Sequence, residues 1–503
     1  MSRLLFITQL IILLLTISFI PSVPIEASCP NFGIHSTSSE MIPPQNNTAF
    51  LILGFSEDVL LSTIDTEYPH HVEPTLAVGD DSTIFAGWKN ANTHNGPGLR
   101  VSFSKSSDNG MTWTTPFDMP MFGELTTGQS DPWLVWHEGT IYYAYLEYSL
   151  TETPLTQITM SKSTDDGGTW TPVTASYGVG FADKETMTIS SSGTVYVTYD
   201  DIYSASDDIT APTTVRLTRS TDGGNSFHER GVIADNLTHN GGHVGPYVIT
   251  DDNENIYVAW TWLTENIWGD VYISVSQDQG TTFSQAIDLN PESENCTYTG
   301  TPDGRPKQVT LPVLRFDQND RLYVLWAEKF EPSGTWDVYL RYSDDFALNW
   351  SRRYQINPVT GGDQWLPDMD IDSQGRLHVV WYDEQGNFYR PFYRTIVFSG
   401  ESREEIIFSN PIEITRMNTP SRFTRPGDYF TIRVDSNDIP HVVWTDGRED
   451  EMDIYYSQGM LEEPLTSTPL TGMSWMGISM VLICLGILYY RKRKLRLLIA
   501  SKS

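Results

Sequence analysis

Five carboxylates recur at one spacing along the chain. Glu147, Asp201, Glu328, Asp383 and Asp446 each stand two residues after an aromatic that closes a short apolar phrase. Acids that converge on one funnel either take up a cation or raise one another's pKa, which readies one of them to give or accept a proton. Each can equally cap a loop or pair with an arginine. Arg305, Arg425 and Arg448 are the cations of interest, with Tyr429 close by in sequence. A planar guanidinium fork matches a carboxylate, and the competing reading pairs these arginines with acids across structural junctions. Trp262, Trp268 and Trp365 can stack on a sugar face or pack inside the fold.

The elements that would carry these residues come from a repeat. A strand-like phrase closed by an aromatic occurs seven times, ending at Trp88, Tyr145, Tyr199, Trp260, Trp326, Trp381 and Trp444, at spacings of 57, 54, 61, 66, 55 and 63 residues. A period of this size signals a repeat architecture. Another apolar strand and a polar turn precede each phrase, as in Thr75–Val78 before Gly79-Asp80-Asp81 and Met369–Ile371 before Asp372-Ser373-Gln374-Gly375. Asp, Asn, Ser and Gly are hairpin-turn chemistry there; paired Asp in such turns is also a candidate metal ligand. A third strand follows, for example Leu99–Phe103 and Val338–Tyr342.

Several third strands end in one further phrase. It reads Ser106-Ser107-Asp108-Asn109-Gly110-Met111-Thr112-Trp113, then Ser163-Thr164-Asp165-Asp166-Gly167-Gly168-Thr169-Trp170. Looser copies hold Asp222 and Asp278 (Ser220–Phe227, Ser276–Phe283), and a decayed one spans Ser343–Trp350. An Asp can tie down turn N–H groups, Gly can take a backbone conformation forbidden to side chains, and the aromatic can plug the gap between strands. The expectation is a structural staple. Ser-x-Asp-x-Gly-x-Thr-Trp is the Asp-box, and its recurrence resembles the sialidase (neuraminidase) superfamily of β-propellers. The resemblance implies an all-β propeller, here with seven blades where sialidases have six. The last unit ends without a box, and Asp58–Ser62 fits its missing outer-strand slot, so this segment is expected to close the ring.

The resemblance further implies that the boxes lie on one face and the active loops on the other. Loops entering each first strand then carry His70, His71, Glu73; Asp131; Asp183, Lys184, Glu185; His243; Arg305, Lys307; Asp363, Gln364, Trp365, Asp368; and Arg422, Arg425, Asp428, Tyr429. Sialidases clamp the substrate carboxylate with three arginines and attack with a tyrosine polarised by a glutamate. The family's first arginine sits in an Arg-Ile-Pro-x-Leu phrase. Here Val72-Glu73-Pro74-Thr75-Leu76 keeps the Pro and Leu but has Val72 in the arginine's place, so one clamp residue is missing. By resemblance the catalytic candidates are Tyr429, Glu328 and Asp383, and the substrate-binding candidates Arg305, Arg425, Arg448, Trp365 and Asp446.

Composition sets the frame. The 503 residues carry a formal charge of −32, which repels phosphate backbones and excludes nucleic acid as a partner. Residues 1–28 read as a secretory signal, with Arg3 before an apolar run. Met473–Tyr490 is an uncharged apolar run of 18 residues followed by a basic tail over 491–503, the pattern of one membrane span with a cytoplasmic end. Between them lie an N-terminal extension (29–56), the propeller (57–460) and a stalk (461–472). Residues 29–470 hold 63 acids (all but Glu26) and 25 bases (32 less Arg3 and the six beyond 490), a net of −38. That suits a calcium-rich or saline exterior or serves solubility alone. Beyond calcium no cofactor is expected, and no Cys/His cluster has zinc spacing. Sequons at Asn46, Asn236, Asn295 and Asn349 fit a glycoprotein ectodomain. The expected role is a surface propeller that recognises extracellular glycans or a surface protein without sialidase hydrolysis. The alternatives are a membrane-anchored exo-acting glycoside hydrolase with Arg305, Arg425 and Arg448 as its anion clamp, and an adhesin with no sugar site.

Overall fold

The computed structural model describes residues 52–461 apart from 63–66, 95, 124–126, 150–155, 178–179, 204–210, 236–240, 265–268, 292–310, 330–334, 359–360, 400–404 and 424–425. The signal, the membrane span, Arg305, Arg425, Lys307 and Trp268 lie outside the described residues.

Seven antiparallel sheets make a seven-bladed propeller. From the axis outward, blade 1 is His70–Val78, Ile84–Ala91, Gly98–Ser106 and Phe117–Asp118. Blades 2 to 5 repeat this order, beginning at Gly128, Phe181, Gly241 and Val313. Blade 6 begins at Asp363, and its long third strand Phe388–Ser399 carries three short outer pieces, including Glu405–Phe408. Blade 7 is Thr431–Val434, Pro440–Asp446 and Asp453–Leu461. Its outer strand comes from the start of the chain: Val59–Leu60 pairs with Tyr456 and Tyr455, as expected, and Ile52–Phe55 extends that edge down to Leu461. Closing the ring this way covers an edge that would otherwise be open to pairing.

The seven marker aromatics are buried between blades, each at most 1% exposed. A buried aromatic removes about 150–250 Å² from water, worth about 4–6 kcal/mol each at ~25 cal/mol per Å². The first hairpin turns are tied by their acids. The Asp251 carboxylate accepts from the amides of Asn253 and Asn255, and Asp317, Asp372 and Asp435 do the same in blades 5 to 7. These carboxylates therefore hold turns. Among the described residues no group of three His, Cys, Asp or Glu is arranged to hold a metal ion.

The box phrases make one turn five times, between third and fourth strands. In blade 1 the Ser106 hydroxyl donates to Asp108 and accepts from the Gly110 amide, the Thr112 amide donates to Asp108 (2.8 Å), and the Trp113 indole donates to the Gly110 carbonyl. The same bonds recur around Asp165, and the Ser–Asp–amide core recurs around Asp222 and Asp278. The decayed copy keeps that core too, with Asn349 in the threonine's place. Each box leans on the preceding blade: Trp170 packs on Phe103 and Trp113 on Tyr456.

Candidate functional site

In five of the seven blades the first strand starts with a backbone irregularity at the mouth of the axis. The register slips between Val72 and Thr75, Ser130 and Trp133, Asp183 and Thr186, Val244 and Tyr247, and Trp365 and Asp368. At each slip one residue has positive φ: Glu73 (56°), Asp131 (53°), Lys184 (54°), Gly245 (62°) and Leu366 (46°). Four non-glycine residues in this strained region stand at equivalent positions, and the bulge re-aims their side chains. The next residue is proline at Pro74, Pro132, Pro246 and Pro367. Threonines near the start of three first strands stitch neighbouring blades: the Thr75 hydroxyl accepts from the Leu134 amide, Thr186 donates to the Pro246 carbonyl, and Thr431 donates to the Pro74 carbonyl.

The bulges surround an axial cavity of about 50 Å³, room for a few waters. Its two sides differ. Blades 4 to 6 supply mainly Gly245, Leu311, Pro312, Leu366 and Pro367, with Tyr247 and Asp368; blades 2, 3 and 7 supply Asp131, Lys184, Glu185, Asp428 and Tyr429. The Lys184 ammonium pairs with three buried carboxylates, Asp428 (2.7 Å), Asp131 (3.0 Å) and Asp183 (3.3 Å). Beside them Lys89 donates to Glu73 at 2.6 Å.

Burial would raise Asp131, but Lys184 and Lys89 outweigh it and hold the carboxyl far below its ordinary range. Glu73 goes the other way: burial, then the charge of Asp131, outweighs Lys89 and pushes it up to about 7. Glu185 is 3% exposed, and neither of its carboxyl oxygens has a hydrogen-bond partner. Burial, then the charge of Asp131, raises it well above the usual carboxylate range. Tyr429 donates its hydroxyl to the Pro132 carbonyl at 2.7 Å. Its pKa is raised by burial and the surrounding acids, which opposes use as a nucleophile. Two lining residues are held by arginines: Arg433 binds Asp368 (3.0 Å), and Arg315 binds the Tyr247 hydroxyl as well as Asp370 (3.1 Å). Both arginines are thus engaged.

Of the residues expected in the entering loops, Asp131, Lys184, Glu185, Asp368, Asp428 and Tyr429 line this cavity; of the catalytic and substrate-binding candidates Tyr429 does, and the other described ones do not. The recurrent acids are bound where they stand. Glu328 accepts from the Trp326 indole (2.8 Å) and from Arg353. Asp446 accepts from the Trp444 indole (3.2 Å), the Thr419 hydroxyl and Arg448. Asp383 accepts from Gln385 and Gln364. Glu147 caps the Phe122 and Gly123 amides, and Asp201 accepts from the Gly180 amide and pairs with Arg216. A residue two places on along a strand shares the aromatic's face, which brings a carboxylate to the indole N–H in blades 5 and 7. Arg448 is neutralised by Asp446 and Asp58, both at 2.6 Å, so it clips the ring-closing segment to blade 7. Trp365 is fully buried against Tyr382 and Tyr389, with no face open to a sugar. Asp131 and Glu185 stand near the start of the first strands of blades 2 and 3, and Asp428 just before that of blade 7; an X-Pro pair marks the bulge in blades 1, 2, 4 and 6.

No family model matches the chain, and no curated protein matches its sequence. Solved structures similar to it include a Dyadobacter fermentans protein of unknown function, at 18% identity and a TM-score of 0.46, covering 66% of this chain and 96% of that one. A Fusarium graminearum GH93 α-L-arabinofuranosidase in complex with arabinobiose matches at 13% identity and a TM-score of 0.44 (80% and 97% covered). The Trypanosoma rangeli sialidase in complex with the inhibitor DANA matches at 13% and 0.42, covering 64% of this chain and 54% of that one.

Proposed function

We propose that this propeller is held on the outer surface of a membrane by the apolar run 473–490 and recognises extracellular glycans or other surface ligands without hydrolysing sialosides. The observation that carries the reading is the state of the axial charges. Lys184, Arg315 and Arg433 are all bound by the fold's own carboxylates, leaving none of these cations to clamp an anionic sugar. The missing arginine at Val72 points the same way. One feature favours the second reading, an exo-acting glycoside hydrolase: Glu185, whose pKa is raised by burial, and Tyr429 line a single cavity, a carboxyl and a hydroxyl within one space.

The test is the full chain in lipid nanodiscs, assayed with fluorogenic sialosides and neutral glycosides and in parallel on a glycan array. The expected result is array binding without turnover. Turnover that vanishes in both Glu185→Gln and Tyr429→Phe would establish the hydrolase instead.

A further inference from the structure

Among the described residues, six of the thirteen large exposed apolar side chains, including the four most exposed, stand on one face. The four most exposed are Leu348 (73%), Met111 (70%), Leu53 (57%) and Ile407 (55%). Met111 is at the tip of the blade 1 box and Leu348 at the tip of the blade 5 box, beside the exposed Phe346. Ile407 pairs with Val397, just beyond the point where Ile396 meets the box-end residue Leu377 of blade 6. Leu53 lies in the bulge between Ile52, opposite Leu461, and Gly54, opposite the exposed Met460. All therefore stand at the box end of four successive blades, 5, 6, 7 and 1. The box tips of blades 2 to 4 carry polar or small residues at the same places: Asp166 and Gly168, Gly223 and Asn225, Gln279 and Thr281.

The chain leaves the propeller in the middle of this arc. His441 pairs with Gln458, so Gly459 takes the register that Ser106 has opposite Ile84 in blade 1. The third strand of blade 7 thus runs toward the box face, and Leu461 ends there. Eleven residues, 462–472, separate it from the apolar run. Even fully extended they reach about 36–40 Å. A tether this short presents the box face to the bilayer at high effective concentration, and even a few apolar side chains suffice for a contact too weak to bind untethered protein.

We propose that the box-end arc of blades 5, 6, 7 and 1 rests on the membrane's outer leaflet, with Leu348, Phe346, Met111, Leu53, Ile407 and Met460 as its lipid-facing side chains. The axial mouth then faces away from the membrane, toward ligands in the surroundings. The inference rests on the membrane-anchored reading above. The acidic ectodomain makes a zwitterionic surface the fitting one, since anionic lipid would repel it.

The test uses the full chain in phosphatidylcholine nanodiscs, with its three cysteines changed to serine and single fluorophores at Leu348→Cys, Met111→Cys or Phe388→Cys. Phe388 is exposed at the opposite end of blade 6. Lipids bearing nitroxide headgroups are expected to quench the labels at 348 and 111 at least ~2-fold more than the label at 388. Adding Phe346→Ser, Leu53→Ser and Ile407→Ser, with the melting temperature checked, should abolish the difference. Equal quenching at all three sites in a chain that floats with vesicles would overturn the docking and leave the anchor standing. Failure of the chain to float would overturn both. Protection of 348 and 111 that persists in detergent, together with a dimeric mass, would overturn it in favour of contact between copies of this chain.

Discussion

The two ends of each blade treat repetition in opposite ways. At the box end both backbone and side chains repeat, so that Asp108, Asp165, Asp222, Asp278 and Asp345 make the same bonds to their own turns. At the mouth end the bulge repeats but its side chains do not: the same backbone position holds Glu73, Asp131, Lys184, Gly245 and Leu366. A position that serves the fold in every blade keeps its chemistry. A position aimed at the axis is free to differ, because each blade brings it against different neighbours. The more charged and the more apolar sides of the cavity follow from that freedom.

The sharpest way to break the contrast is at the mouth. Lys184→Met leaves Asp131, Asp183 and Asp428 without their shared cation, and stability should fall by about 3–5 kcal/mol, read by urea denaturation. At the box end, Gly110 has a φ of 81° and sits against the Tyr456 ring, where a Cβ would overlap the hydroxyl. Gly110→Ala should cost about 2–4 kcal/mol, and Tyr456→Leu in the same chain should recover part of the loss by relieving the overlap.

A smaller effect depends on pH. Glu73 titrates at 4.5 in the unfolded chain and near 7 in the fold, so in this window the folded chain holds a proton that the unfolded chain has lost. Its contribution to stability therefore falls as pH rises from about 4.5 to about 7 and is level above that. Melting temperatures across the window should show a shallower slope for Glu73→Gln than for the parent. The smallest effect separates the decayed box from the intact ones. Ala347, with a φ of 66°, stands where Gly110 and Gly167 do, and Ala347→Gly should raise stability by about 0.5–1 kcal/mol, seen as a small rise in melting temperature.

Much of the fold was legible because its signals are local. The box bonds join residues two to four apart, the hairpin acids bind amides two to four residues on, and the marker aromatics recur whatever lies between them. Even the ring closure was readable, since Val59 and Leu60 fill a strand slot the seventh unit lacks. The recurrent acids misled for the same reason. Their two-residue spacing records the partnership of Glu328 with Trp326 and Asp446 with Trp444, and the funnel reading does not describe them.

The sequence by itself determined the number of blades, the order of strands and the turn chemistry, because those interactions are made within one repeat. Only the tertiary structure decided which charges meet at the axis. Lys184 reaches Asp131 and Asp428 across three blades, and Arg448 reaches Asp58 from the far end of the chain. Which cation finds which carboxylate depends on how the ring closes, and a buried charge takes whatever partner that closure brings within reach.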